Sequence, residues 1–147
     1  MKSYLFRLSL SLLLFIAASF CFGQTSDNIK FEKAVQKFKK VDEGHILTFN
    51  YPFTYSGKES LTITPPKVDC SCTTVILPDG NIETGKSYTI QIKFETKGKI
   101  GYQERDITLQ FTSDAMDSRA IEKKITFKGV VKASKETKEA YKQNRKK

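Results

Sequence analysis

The chain has 147 residues, 39% of them hydrophobic, and carries 25 Lys and Arg against 16 Asp and Glu for a formal net charge of +9. That length leaves room for one domain at most once the chain ends are set aside. The positive balance favours anionic surfaces, and the N-terminal segment, which reads as an export signal, excludes nucleic acid from the expected partners.

Lys2 and Arg7 form a short basic region, residues 8–20 are almost uninterrupted apolar sequence, and Gly23-Gln24-Thr25-Ser26-Asp27 follows at once. The apolar run falls short of the roughly 20 residues that span a bilayer. Its flanks are those of a secretory signal peptide. Residues 1–23 are therefore expected to be removed after Gly23, with residues 24–28 a flexible start and the periplasm or cell surface as destination. Lipidation of Cys21 is the alternative, and the bulky Phe20 before it argues against that. Losing Lys2 and Arg7 leaves +7, of which +4 lies in residues 133–147.

Residues 29–35 alternate weakly, as a half-buried strand would, and Glu43-Gly44 gives a turn. In residues 46–55, Leu47, Phe49, Tyr51, Phe53 and Tyr55 fall on one face at period two. Pro52 within them lacks a ladder donor and predicts an edge, a bulge or a break. Ser56-Gly57-Lys58-Glu59 reads as a hairpin loop with Gly57 at positive φ. Leu61 and Ile63 continue the alternation, Pro65-Pro66 interrupts it, and residues 68–74 are expected to be extended. Pro78-Asp79-Gly80-Asn81 is a turn. Tyr88, Ile90, Ile92 and Phe94 form the clearest apolar face, followed by Ile107, Leu109 and Phe111. The last strand carries Ile121, Ile125, Phe127, Val130 and Val131, with Gly129 read as a bulge.

Seven or eight short strands at this spacing predict an all-β domain. Their one-sided apolar faces bury each other when two sheets pack. The expected fold is an immunoglobulin-like antiparallel β-sandwich over residues 29–132. Residues 133–147 form a basic tail, read as a frayed helix outside the sandwich with Glu139 and Lys142 spaced to pair. Through it the protein would touch an anionic envelope surface peripherally, and no membrane-spanning segment is expected in the mature chain.

The landmarks, in order, are the Ser56-Gly57 turn, Leu61-x-Ile63, Cys70-Ser71-Cys72-Thr73-Thr74, Ile82-x-Thr84-Gly85 leading into Tyr88-x-Ile90-x-Ile92-x-Phe94, and Gly98-x-x-Gly101. Over residues 38–131 this resembles the family called domain of unknown function 1573, common in exported proteins of Bacteroidetes-type bacteria and similar to Hydin-type immunoglobulin-like domains. The resemblance implies fold and compartment and assigns no activity. The chain departs from the family pattern at Ser71, where Gly is usual, and at Thr84, where Pro is usual. Tyr55 and Ser56 stand where an Asn often precedes the glycine.

Cys70 and Cys72 are the first candidate site. On a regular strand, residues two apart have Cα atoms about 6.6–6.8 Å from each other, the upper limit for a disulfide. A bond between them therefore requires a kink. Three readings stand open: a local disulfide, two buried thiols, or a redox or soft-metal site. Two thiolates supply half a tetrahedral shell, and His45 and Met116 lack motif spacing to them, so no metal or cofactor is assigned. His45 has no partner in a nucleophile motif. Asp114 and Asp117 are oxygen ligands of the kind calcium takes, in a polar loop that solvation also explains. The aromatic stripe Tyr51, Phe53 and Tyr55 is a candidate contact surface wherever it is exposed, and core wherever it is not. The expected function is that of a non-catalytic binding or adaptor module whose partner is a protein or envelope component. The alternative is a thiol-active protein handling electrons or copper through Cys70 and Cys72.

Overall fold

The computed structural model describes residues 28–68, 70–113 and 120–145. The expected signal peptide, Cys21, Asp114, Met116 and Asp117 lie outside these. Among the described residues nine strands and one helix follow in order: β1 (Ile29–Phe31), β2 (Val35–Lys37), β3 (Val41–Asp42), β4 (Ile46–Tyr55), β5 (Thr62–Thr64), β6 (Thr73–Ile76), β7 (Ser87–Glu95), β8 (Gly101–Thr112), β9 (Ile121–Lys132) and α1 (Lys135–Asn144). One sheet runs β1-β4-β7-β6; the other runs β2-β9-β8-β5, with β3 also on β9. This is an all-β sandwich.

Alternation decides what each strand buries. Phe49, Tyr51, Phe53 and Tyr55 of β4, Ile90, Ile92 and Phe94 of β7, and Ile107, Leu109 and Phe111 of β8 all point between the sheets. Phe127 of β9 stacks on Phe49 at 4.7 Å and lies 5.0 Å from Phe94, so aromatic contacts span the layers. Each such ring, fully buried, contributes about 1.5–3 kcal/mol. Tyr51 adds a polar tie: its Oη donates to Thr126 O in the opposite sheet at 2.8 Å.

Several local expectations are corrected. The run from residue 29 to 35 is two strands, because the chain leaves β4 after Phe31 and joins β9 at Val35 in parallel. With β3 also parallel to β9, the second sheet is mixed rather than antiparallel. Pro52 neither breaks nor bulges β4, whose pairing with β7 is continuous from Ile46 to Thr54. Its carbonyl accepts from Glu32 N, so its nitrogen faces the side where β1 has just ended and no donor is needed. Residues 56–59 form no hairpin, since β4 and β5 lie in different sheets. Gly57 is absent from the positive-φ glycines; a Cβ there would run into the Tyr55 ring. Gly129 makes no bulge either, because the β8–β9 register is unbroken from Gly101↔Val131 to Phe111↔Ile121. A Cβ on it would sit 2.6 Å from the Phe38 ring and from Phe38 O.

The tail is helical from Lys135 and buries no residue, yet it is tied to the sandwich. Ser134 caps it, its Oγ accepting from Thr137 N at 3.1 Å. The Glu43 carboxylate accepts from Ser134 N at 3.0 Å and from Gly98 N at 3.1 Å. No helix among the described residues is long and apolar enough to cross a membrane.

Candidate functional site

A 12-residue strand, β8, paired along its length on one side and only over its last three residues on the other, is the most unusual feature of the surface. Thr126 N donates to Ala34 O, and Lys128 O accepts from Phe38 N. Backbone groups of successive strand residues point to opposite sides, so the even residues of β9 face β2 and the odd ones face β8. Through the register Ile125↔Ile107 and Phe127↔Arg105, the odd residues of β8 bond to β9. Tyr102, Glu104, Asp106 and Thr108 therefore turn their N–H and C=O groups to the other side. On that side β5 reaches only Gln110 to Thr112. Among the described residues no acceptor meets the four N–H groups.

The reason lies in two prolines. Continuing the β5 register would put Pro65 opposite Leu109 and Pro66 opposite Thr108. By the same alternation Pro65 would face away from β8 and Pro66 toward it, and proline has no N–H to give there, so the ladder stops at Thr64 and the chain crosses to the other sheet. It leaves two cavities along β8. One, of about 340 Å³, lies between residues 64–67 and Thr108 and Gln110. The other, of about 410 Å³, is walled by Val68, Cys70, Thr73, Lys99, Ile107 and the run Glu104, Arg105 and Asp106.

Cys70 and Cys72 sit at the floor of this crossing, joined by a disulfide with Cα atoms 5.1 Å apart. The run expected to be extended over residues 68–74 instead turns at Ser71-Cys72: Thr73 N donates to Cys70 O at 3.1 Å, and β6 begins only at Thr73. That turn supplies the shortening that the bond requires. Cys72 is buried in the core cluster, whereas Cys70 faces the cavity.

Charge is distributed unevenly around the larger cavity. Arg105 occupies a core-facing position of β8 at the open margin, half-buried. It donates through Nη2 to Gln103 Oε1 and through Nη1 to Glu104 O, both at 2.9 Å, and neither acceptor is charged. Glu104 and Asp106 project from the opposite face of the strand, where they are occupied. Tyr102 Oη donates to Glu104 at 2.7 Å and Lys128 Nζ at 3.0 Å, holding its carboxyl below the usual range. Thr126 Oγ1 at 2.6 Å and Lys124 Nζ at 3.1 Å do the same for Asp106.

The aromatic stripe proposed as a contact surface is not one. Tyr51, Phe53 and Tyr55 are 0%, 1% and 3% exposed, because β4 is an inner strand whose odd residues face the second sheet. His45 serves through its backbone: its N–H donates to Thr96 Oγ1, which in turn donates to His45 O. Among the described residues no three His, Cys, Asp or Glu side chains are grouped to hold a metal. Arg105 and Lys99 were not foreseen, though a lone arginine in phase with Ile107, Leu109 and Phe111 was a legible signal.

The family described as "Protein of unknown function (DUF1573)" matches residues 29–131. The chain belongs to that family. No curated protein matches this DUF1573 chain by sequence. Solved structures do resemble its fold. The ASH / PapD-like domain of human CEP192 (PapD-like domain 7) superposes with a TM-score of 0.60 at 10% identity, over 74% of this chain and 87% of that one. The VesB protease of Vibrio cholerae gives 0.56 at 14% identity, over 71% of this chain and 32% of the protease. The chain thus spans about a third of that protein. At such identities the likeness concerns the sandwich fold alone.

Proposed function

We propose that this protein is an exported, non-catalytic binding module of the periplasm or cell surface, and that an extended segment of a partner protein adds to β8 as a further strand. The observation that carries the reading is the row of four unmet N–H groups from Tyr102 to Thr108. An uncovered strand edge is a ready template for another chain, and strand addition draws its affinity from such main-chain groups. The row covers about seven residues, roughly 20 Å of partner at ~3.3 Å per residue.

Amide hydrogen exchange of the full chain tests this. Tyr102, Glu104, Asp106 and Thr108 should exchange quickly while Gln103, Arg105 and Ile107, bonded to β9, exchange slowly. A photo-crosslinking residue at Thr108 should trap an envelope protein in cells, and the trapped segment should then protect the four fast amides. Fast-set amides already protected in the isolated chain, or untouched by the bound segment, would refute the proposal.

A second reading rests on Cys70, which shares its cavity wall with Lys99 and Arg105. Cations so placed lower a thiol's pKa. In this reading a partner thiolate attacks Sγ of Cys70, the bond to Cys72 breaks, and Cys72 leaves as thiolate. Reversible equilibration with glutathione and a depressed Cys70 pKa, measured by alkylation rate against pH, are its requirements; an ordinary thiol pKa ends it.

A further inference from the structure

The larger cavity opens beside the edge that the strand-addition reading assigns to the partner, and its charge selects what can lie there. Lys99 Nζ has no partner among the described residues. Arg105 spends two of its five N–H donors on neutral oxygens, and a guanidinium has no way to shed its charge. The carboxylates among the described residues that line the cavity are already engaged, Glu104 by Tyr102 and Lys128, and Asp106 by Thr126 and Lys124. Two cations thus line one margin where the described carboxylates, Glu104 and Asp106, are already paired, flanked by apolar Val68 and Ile107. A half-buried cation of this kind gains most from a ligand carboxylate, which matches the guanidinium fork in two parallel bonds.

We infer that the segment adding to β8 is acidic: an extended peptide that places an Asp or Glu carboxylate against Arg105 and Lys99, with an apolar neighbour over Val68 and Ile107. This rests on the strand-addition reading and specifies its ligand. The alternation of the strand sets the geometry. Side chains of an added strand that pair with Arg105 share its face and enter the cavity, whereas their immediate neighbours point away. One acidic position, with apolar residues two away, is the expected pattern.

The test selects peptides from a random seven-residue library on the full chain, then compares recovered peptides with their Asp→Asn or Glu→Gln versions. Peptides that protect the amides of Tyr102, Glu104, Asp106 and Thr108 should carry an acid at a fixed position. Neutralising it, or substituting Arg105→Gln, should weaken binding about tenfold, the scale of one charge-assisted hydrogen bond. Arg105→Lys should recover part of that loss, and rising salt should weaken the acidic peptide only. The slow exchange of Gln103 and Ile107 reports that each variant is still folded. Edge-protecting peptides without an acidic preference, unaffected by Arg105→Gln, would overturn the inference and leave strand addition standing. Peptides that bind without protecting those amides, an edge covered by a second copy of the chain, or no recovered peptide would overturn both.

Discussion

Replacing Tyr51 by Phe removes one oxygen from the core and one bond between the sheets. The side chain is fully buried, and its Oη donates to Thr126 O at 2.8 Å. Near neutral pH the variant should lose about 1 kcal/mol, the net worth of a buried hydrogen bond. Alkaline pH should reverse the order. Burial holds the phenol well above its ordinary pKa, so in the folded chain it stays protonated after the unfolded chain has ionised at about pH 10. A raised folded pKa gives stability that is complete below the unfolded value and is lost as pH climbs above it, by about 1.4 kcal/mol per unit. The variant has no such loss. The other tyrosines and the lysines titrate alike in both proteins and drop out of the difference. The two stabilities should therefore meet at roughly pH 11, with Tyr51→Phe the more stable beyond it. Urea unfolding followed by circular dichroism at stepped pH measures this directly. A deficit that stays constant through that range would mean the phenol ionises as freely in the folded chain as in the unfolded one, and the buried inter-sheet bond would be wrong.

Phe127→Ala should cost about 3–5 kcal/mol in chemical unfolding, since its unexposed ring contacts both Phe49 and Phe94; a loss below 1 kcal/mol, as for a surface site, would contradict the packing. Glu43 is held below its ordinary pKa chiefly by the Thr137 side chain and then by Ser134 N. Its hold on the helix is present above the usual Glu range and is lost as pH falls through the folded value. Acidification, and Glu43→Gln at neutral pH, should loosen α1 while the sandwich keeps its amide protection; nuclear magnetic resonance of residues 135–144 reads the change. Intact mass of the purified chain should show no thiol label at Cys70 or Cys72 until a reductant is added. Because the loop closed is so short, Cys70→Ser with Cys72→Ser should lower stability by no more than about 2 kcal/mol on the chain-entropy estimate. Thr108→Pro should leave the fold intact, since its N–H faces away from β9, and should abolish binding at the edge.

Period-two patterning was enough to choose the core. Tyr51, Phe53, Ile90, Ile92, Phe94, Leu109 and Phe111 fall in phase along their strands, and burying apolar faces is the strongest term the chain has to satisfy. The turn at Pro78-Asp79-Gly80 was equally local, with Gly80 at φ 72°. What the sequence could not determine was which strand lies beside which. That depends on pairings between residues far apart in the chain, and local pattern does not encode them. Hence the splitting of residues 29–37 between two sheets, the parallel pairing of β2 and β3 with β9, and the burial of the aromatic stripe all emerged only in three dimensions. Pro52 and Pro65-Pro66 show the difference most plainly. All three lack the same N–H, yet Pro52 sits harmlessly within an inner strand because its nitrogen faces the end of β1. Pro66, whose nitrogen would face β8, instead ends a ladder and leaves β8 open beyond Gln110. The sequence determined that three donors are missing. Only the tertiary structure decided where a missing donor leaves a strand edge uncovered.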